Sequence, residues 1–486
     1  MVWTLPVCTA ARFFSLWSLG ALAACGLNSA PHLDDGRSDL YFGFTLLDPA
    51  GETVQENAYV VVTDGRIAAI GDGEPPQGAF RSRRDFTGRF ALPGFVDAHA
   101  HITAGPTTVE RVDGTPVIKM ESVDEITQYH ARVALAFGVT TIRNPGGDPA
   151  ANARYDARIR AGAWVGPDAV HAGAPVQPPP FGGNAFVYPR SDPEWHAAAQ
   201  RQADLGMKYL KLYVSLGEDE LATGIRVAHQ HGLRAIAHLD NVSWTRALQL
   251  GIDELTHALP TSADLLPPAS RQIYLAERGA DSRFMYRWFE LVDLDRPPVT
   301  ELIQLLVQMQ TRVDLTLVVN QLIYNVDNVG AIVPVAERRF VHPIARESAE
   351  RQLRASTTGW TAADYSRARA VMPKVLEFAR RLYQAGVPLM IGTDGYGGSP
   401  MYARELQLHV DAGIPAWDVL RLATSEGARL LGLADETGRF RVGLQADFVF
   451  LNAHPIRDIA NVKQVHTVVT NGTAYSFEQL AGAAVD

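Results

Sequence analysis

The sequence predicts an α/β fold: a (β/α)8 barrel joined to a small β-sandwich built from the two ends of the chain. Three observations carry this. Eight short, nearly continuous apolar runs alternate with helical stretches through the middle of the chain, as parallel strands covered on both faces do. Turn-rich segments with alternating apolar residues flank that region on both sides. Histidine, lysine and aspartate residues fall at the carboxyl ends of the runs, where barrels of this kind carry their chemistry.

Length and composition agree. The chain has 486 residues, 47% apolar and 20% charged, which suits a globular protein with one large domain and a smaller one. The formal net charge is −9 and no run of Lys and Arg reaches five residues, so no nucleic-acid partner is expected.

The first 25 residues, "MVWTLPVCTAARFFSLWSLGALAAC", carry Arg12 and then an apolar stretch from Phe13 to Ala24. That stretch is shorter than the roughly 20 residues that span a bilayer, so residues 1–25 read as a signal peptide. The ending "LAAC" resembles the lipobox of bacterial lipoproteins, making Cys25 the expected lipidated N-terminus; the alternative is an ordinary cleavage site or a buried N-terminal helix. Cleavage would remove Cys8, the other of the two cysteines, and leave no disulfide. Residues 26–39 read as a polar tether. The expected location is extracytoplasmic, as a bacterial lipoprotein on the periplasmic side at the outer membrane.

After the tether, residues 40–92 and 440–486 are expected to form the β-sandwich. In the first, "LYFGFTLLD" and "AYVVVTDGRIAAIGDG" show hairpin signals; "RFRVGLQADFVFLNAHP" and "VKQVHTVVTNGTAYS" repeat the style near the C-terminus. Residues 93–439 are expected to form the barrel. Its strands are read near Phe95–Ile102, Val139–Asn144, Ala169–Gly173, Tyr209–Val214, Ala235–Leu239, Glu254–Ala258, Val313–Val319 and Leu389–Asp394. Two long connections, 259–312 and 320–388, should carry extra helices over the mouth. "PVQPPPFGG" (175–183) is a further loop on that face.

"FVDAHAHI" (95–102) sets His99 and His101 one residue apart, on one face of the first strand. Alone, the pair is either two histidines satisfied in a barrel core or two ligands of one ion. On the fourth strand, "KYLKLYVS" puts Lys211 with Tyr209 and Tyr213 on the inner face. A buried ammonium is costly unless paired, so Lys211 either meets a carboxylate or is neutralised and able to form a carbamate with carbon dioxide. The fifth, sixth and eighth strands end in His238, His257 and Asp394, the last followed by a turn glycine.

"ALPGFVDAHAHI", "LKLYVS", "AIAHLD", "GIDELTHAL" and "GTDG", in that order, together with the C-terminal "VGLQADFVFLNAHP", resemble the amidohydrolase superfamily of metal-dependent hydrolases, over about residues 40–475. The nearest branch is that of imidazolonepropionase-like proteins and prolidase-type dipeptidases. The resemblance implies a distorted (β/α)8 TIM barrel holding two divalent metal ions, zinc being the expected one. His99, His101 and Asp394 would bind the first ion, His238 and His257 the second, and carboxylated Lys211 would bridge them. It implies hydrolysis of amide bonds in dipeptides or N-acyl amino acids by metal-bound hydroxide, with Asp394 as general acid and base.

Tyr213, Arg143 and His171 are candidate substrate contacts; a packed or core-bonded role is the alternative for Tyr213 and His171. Relatives usually carry Asp after the strand-two Arg, where this chain has Asn144. His342, Asn320 and Tyr396 are weaker mouth candidates. The same site chemistry would admit a lactonase or organophosphate-type ester hydrolase. A one-metal deaminase would need a Glu two residues after the strand-five histidine, where Asp240 stands. The expected partners are a small-molecule amide or dipeptide substrate and the membrane only through a lipid on Cys25, with a homo-oligomer left open.

Overall fold

A computed structural model describes residues 36–112, 115–179, 183–278, 282–397 and 399–482. The expected signal peptide, with Cys8 and Cys25, most of the expected tether, and residues 180–182 of the proline-rich loop lie outside the described residues. Among those described, no helix is long and apolar enough to cross a membrane.

The eight barrel strands are Phe95–Asp97, Val139–Asn144, Asp168–His171, Tyr209–Leu212, Arg234–Ala237, Glu254–Thr256, Arg312–Asp314 and Leu389–Met390, here called first to eighth. Neighbours pair in parallel from first to third and from fourth to eighth. Single bridges, Ala172 with Tyr209 and Ala100 with Gly395, complete the ring between third and fourth and between eighth and first. Alternation decides which side chains enter it. On the fourth strand, Leu210 and Leu212 join the large core shared with the helices, whereas Tyr209 packs inside with Ile236 and Ala172.

Every strand but the second is shorter than expected, the first, seventh and eighth most of all. The first ends at Asp97, so His99 and His101 stand just beyond it, held by Ala98 N–H to Ile391 O (2.7 Å) and His101 N–H to Gly395 O (2.7 Å). The seventh ends at Asp314 because Leu317–Ile323 is a helix. The buried carboxylate of Glu405 accepts the first free amides of that helix, Leu317 N (3.0 Å) and Val318 N (2.7 Å), which a strand could not offer together. The eighth has only two residues.

Both long connections carry helices: Pro268–Glu277, Arg283–Leu291 and Pro297–Met309 in one, and Pro343–Ser356 and Ala362–Ala385 in the other. A hairpin, Thr107–Val112 with Thr115–Met120, follows the first strand and was not expected. Its sequence signal is the Asp113-Gly114 pair between alternating apolar residues.

The terminal segments share one eight-stranded sheet, in which Phe448–Leu451 runs antiparallel to Phe90–Pro93. Period-two alternation gives that sheet two apolar faces. Phe448 and Phe450 join Tyr41, Phe44 and Phe86 in a core of their own, with the Phe86 and Phe450 rings stacked at 3.7 Å. Val449, Leu451 and Leu92 face the barrel core instead. Only Gly94 separates Phe90–Pro93 from the first barrel strand, so this sheet fixes where His99 begins.

Candidate active site

The polar residues converge at the carboxyl ends of the strands. Three of the positions there, His257, Thr316 and Asp394, have left-handed backbone, with φ of 70°, 42° and 53°. Non-glycine residues adopt that region at a cost of order 1 kcal/mol or more each, and such strain collects at functional sites. First and eighth strands are stitched around His99. Asp394 N–H and Thr393 N–H both donate to the His99 carbonyl (2.7 and 3.1 Å), while Asp97 accepts from Thr393 Oγ1 (2.7 Å) and His99 N–H (3.2 Å). Burial raises the Asp97 carboxyl to about 6 against these hydrogen bonds.

Gly392 is where the eighth strand passes His99. A methyl group there would lie 2.5 Å from His99 Cβ, with no flexible side-chain end to yield. Gly392→Ala is therefore expected to cost about 1–3 kcal/mol of stability, read by urea denaturation. An unchanged midpoint would contradict this packing.

The ring nitrogens show what the site is built to hold. His101 Nδ1 lies 2.9 Å from the Gly146 carbonyl and His99 Nδ1 lies 2.7 Å from Asp314 Oδ1. A carbonyl or carboxylate only accepts, so each Nδ1 donates, and Nε2 is the atom through which each ring can offer a lone pair to a cation. Both Nε2 atoms stand 3.1 Å from Asp394 Oδ1. Two ring nitrogens and a carboxylate oxygen thus converge, a ligand set that suits a divalent cation. Burial would raise the Asp394 carboxyl, but the neighbouring His99, His101 and His257 hold it well below the usual range.

A second group overlaps the first. His99, His257 and Asp314 are all buried and offer ligand atoms within 4.8 Å of one another. The His257 ring lies 5.0 Å from His99 and 4.3 Å from His238. His257 Nδ1 pairs with Thr316 Oγ1 at 2.7 Å, while the buried Nδ1 of His238 has no hydrogen-bond partner. Burial drives the His257 ring down to about 3, aided by nearby His99 and Lys211 against the pull of Asp394. Both rings are neutral, the form that binds metal.

Lys211 points inward, as the alternation implies, and donates to Thr256 Oγ1 (3.2 Å). Burial lowers its ammonium to about 8 although Asp314 pulls the other way. Tyr213 follows on the same face, its ring 5.1 Å from His238 and stacked against Phe186 at 5.5 Å. Burial pushes the Tyr213 hydroxyl up to about 12, so it remains a proton donor.

Two expected substrate contacts are corrected. Arg143 is fully buried inside the barrel: NH1 meets Glu254 Oε2 (2.7 Å), NH2 meets Asp314 Oδ2 (2.5 Å), and Nε donates to the Ala98 carbonyl. A guanidinium committed to these three partners and wholly shielded from solvent cannot reach a substrate carboxylate at the mouth. His171 is buried on the helix side of the third strand, its Nε2 3.0 Å from Asp156 Oδ1. Asn144 is equally internal, donating to Thr103 Oγ1 and Asn152 Oδ1 at 3.1 Å each. Among the weaker candidates, Asn320 is fully buried, donating to the Tyr324 hydroxyl (3.2 Å), and Tyr396 stacks on His130 at 4.7 Å. The Nδ1 of His342 is buried without a hydrogen-bond partner.

Sequence reasoning did not single out Asp314, which touches His99 and Arg143 directly. The available signal was an acid inside the apolar run "RVDLTLVV".

An inward-facing cluster of histidines and aspartates at the strand ends of a parallel barrel is a candidate metal site. The family model for the amidohydrolase family matches residues 90–474, and the chain belongs to that family, the class of hydrolases acting on carbon–nitrogen bonds that the motifs imply. An imidazolonepropionase from Streptococcus pyogenes serotype M1 is 38% identical over 56 residues, which is 11% of this chain and only 13% of that protein. Among solved structures, a Xaa-Pro dipeptidase with bound methionine in the active site superposes with a TM-score of 0.64 at 20% identity, covering 90% of this chain and all of the other (100%). A prolidase complexed with N-methylphosphonate-L-proline gives 0.60 at 16% identity, covering 90% and 99%. At these identities the structural likeness concerns the fold.

Proposed function

We propose that the chain is a metal-dependent hydrolase of amide bonds in dipeptides or N-acyl amino acids. The observation that carries this is the pair of Nδ1-anchored histidines turning both Nε2 atoms toward Asp394 Oδ1. His99, His101 and Asp394 would hold one divalent ion; His257 and His238, whose orphaned buried Nδ1 seeks a partner, would hold a second, with zinc the expected metal. When bound, such ions acidify water and polarise an amide carbonyl. Asp394, in its carboxylate form, takes a proton from the attacking water as the C–O bond forms and passes it to the nitrogen as the C–N bond breaks, leaving a carboxylic acid and an amine. Tyr213, whose ring lies 5.1 Å from that of His238, would donate a hydrogen bond from its hydroxyl to a substrate oxygen. The dipeptide reading draws on the dipeptidase and prolidase named above, which share the fold.

Lys211 is the residue on which the two-ion form of the proposal turns. With its ammonium lowered to about 8, a fraction is free amine at neutral pH, able to add carbon dioxide and lose a proton; the resulting anionic carbamate would supply a further ligand to the metal site. Lys211→Ala is expected to lose one or both ions and nearly all activity, measured by metal analysis and released amine. Two ions and full activity in that variant would remove the carbamate from the account.

The Cys25 anchor is a separate proposal, supported by "LAAC". Labelled fatty acid should enter the wild-type chain and not Cys25→Ala; equal labelling would end it.

A further inference from the structure

The buried charges beneath the site form a string that ends on a metal-ligand histidine. Asp314 Oδ1 accepts a hydrogen bond from His99 Nδ1–H (2.7 Å), its Oδ2 meets Arg143 NH2 (2.5 Å), Arg143 NH1 meets Glu254 Oε2 (2.7 Å), and Glu254 Oε1 meets Arg312 NH1 (3.1 Å). Asp314, Arg143 and Glu254 are completely shielded from solvent. The string joins the first, second, sixth and seventh strands across the barrel interior.

Arg143 grips His99 from two sides. Its Nε donates to the carbonyl of Ala98, the residue before His99, while its NH2 holds the carboxylate that holds the His99 ring. Asp314 does the same for two histidines at once, because its backbone carbonyl accepts the His257 N–H at 2.7 Å. The planar guanidinium fork suits this double task, which a lysine could not perform.

We propose that Asp314 and Arg143 are positioning residues for the metal site. Asp314 fixes the His99 tautomer with the proton on Nδ1 and the lone pair on Nε2, and Arg143 fixes Asp314. Neither touches substrate. This inference rests on the metal-hydrolase reading given above.

The test uses the full chain loaded with Zn²⁺ or Co²⁺. Affinity would be measured by competition with a chromophoric chelator, alongside metal stoichiometry, the Co²⁺ absorption spectrum and the urea midpoint. Loss of a carboxylate that orients a ligating histidine typically weakens metal binding by about 10–100-fold. Asp314→Asn is therefore expected to keep the wild-type stoichiometry at saturating metal, lose affinity in that range and shift the Co²⁺ spectrum. Arg143→Lys, which keeps one cation but not the fork, should lose affinity in the same direction and by less.

If Asp314→Asn binds as tightly as wild type with an unchanged spectrum, the inference is wrong. It is also wrong if saturated Asp314→Asn has lost one ion, because Asp314 would then be a ligand itself. Should neither variant fold, ¹⁵N-histidine spectra of the wild-type chain still decide: the resonance lost in His99→Gln must be the Nδ1–H tautomer, and an Nε2–H tautomer overturns the assignment. A wild-type chain that takes up no divalent ion would instead sink the functional reading on which all of this stands.

Discussion

Asp394→Asn is expected to lower kcat/KM for amide hydrolysis by about 10²–10⁴-fold, the usual yield of a positioned acid–base group. The amide has the same shape as the carboxylate and can turn either its oxygen or its NH2 toward the His99 and His101 Nε2 atoms, which approach Asp394 Oδ1 to 3.1 Å in the native site, so the chain should fold. What is lost is the proton acceptor. Rates would be measured as released amine with the variant saturated in metal, which separates lost acid–base function from lost metal. A variant within a few-fold of wild type would place the acid and base elsewhere.

Arg143→Met should have the largest effect on stability. Removing the guanidinium leaves the carboxylates of Asp314 and Glu254 facing each other across a dry interior, with Arg312 still on Glu254. Breaking one side of a buried ion pair typically costs about 3–5 kcal/mol, since the remaining charge is stranded. Denaturant midpoints of wild type and variant give this directly. Glu254→Gln paired with Arg143→Met should recover part of the loss. A single variant as stable as wild type would mean that the buried string contributes nothing to the barrel.

Much of the site was legible because its residues break apolar runs. A histidine or aspartate at the end of a strand is conspicuous, and period-two alternation is enough to turn Lys211 and Tyr213 inward. The barrel followed from the same runs.

The places where the reading fell short have particular causes. Arg143 sits at the end of an apolar run and resembles a mouth residue, yet its Ala98, Asp314 and Glu254 partners come from positions 45, 171 and 111 residues away. No local pattern reports such partners. Asp314 was hidden by reading Val313–Val319 as one strand, which put it at the amino-terminal end of that element instead of at the carboxyl end, where it stands in Arg312–Asp314. The break at Thr316 depends on Glu405 capping the helix that follows, and that is a tertiary contact. His171 shows the opposite limit: alternation gives a face, and only the neighbouring helix with Asp156 shows that the face looks away from the mouth.

The most direct measurement is metal analysis of the purified chain and of His99→Ala/His101→Ala, each followed by release of amine from dipeptide and N-acyl amino acid libraries. The account predicts bound divalent metal and hydrolysis of at least one library class by the wild-type chain, with both lost or sharply reduced in the double variant. Hydrolysis that persists in a metal-free double variant would contradict it.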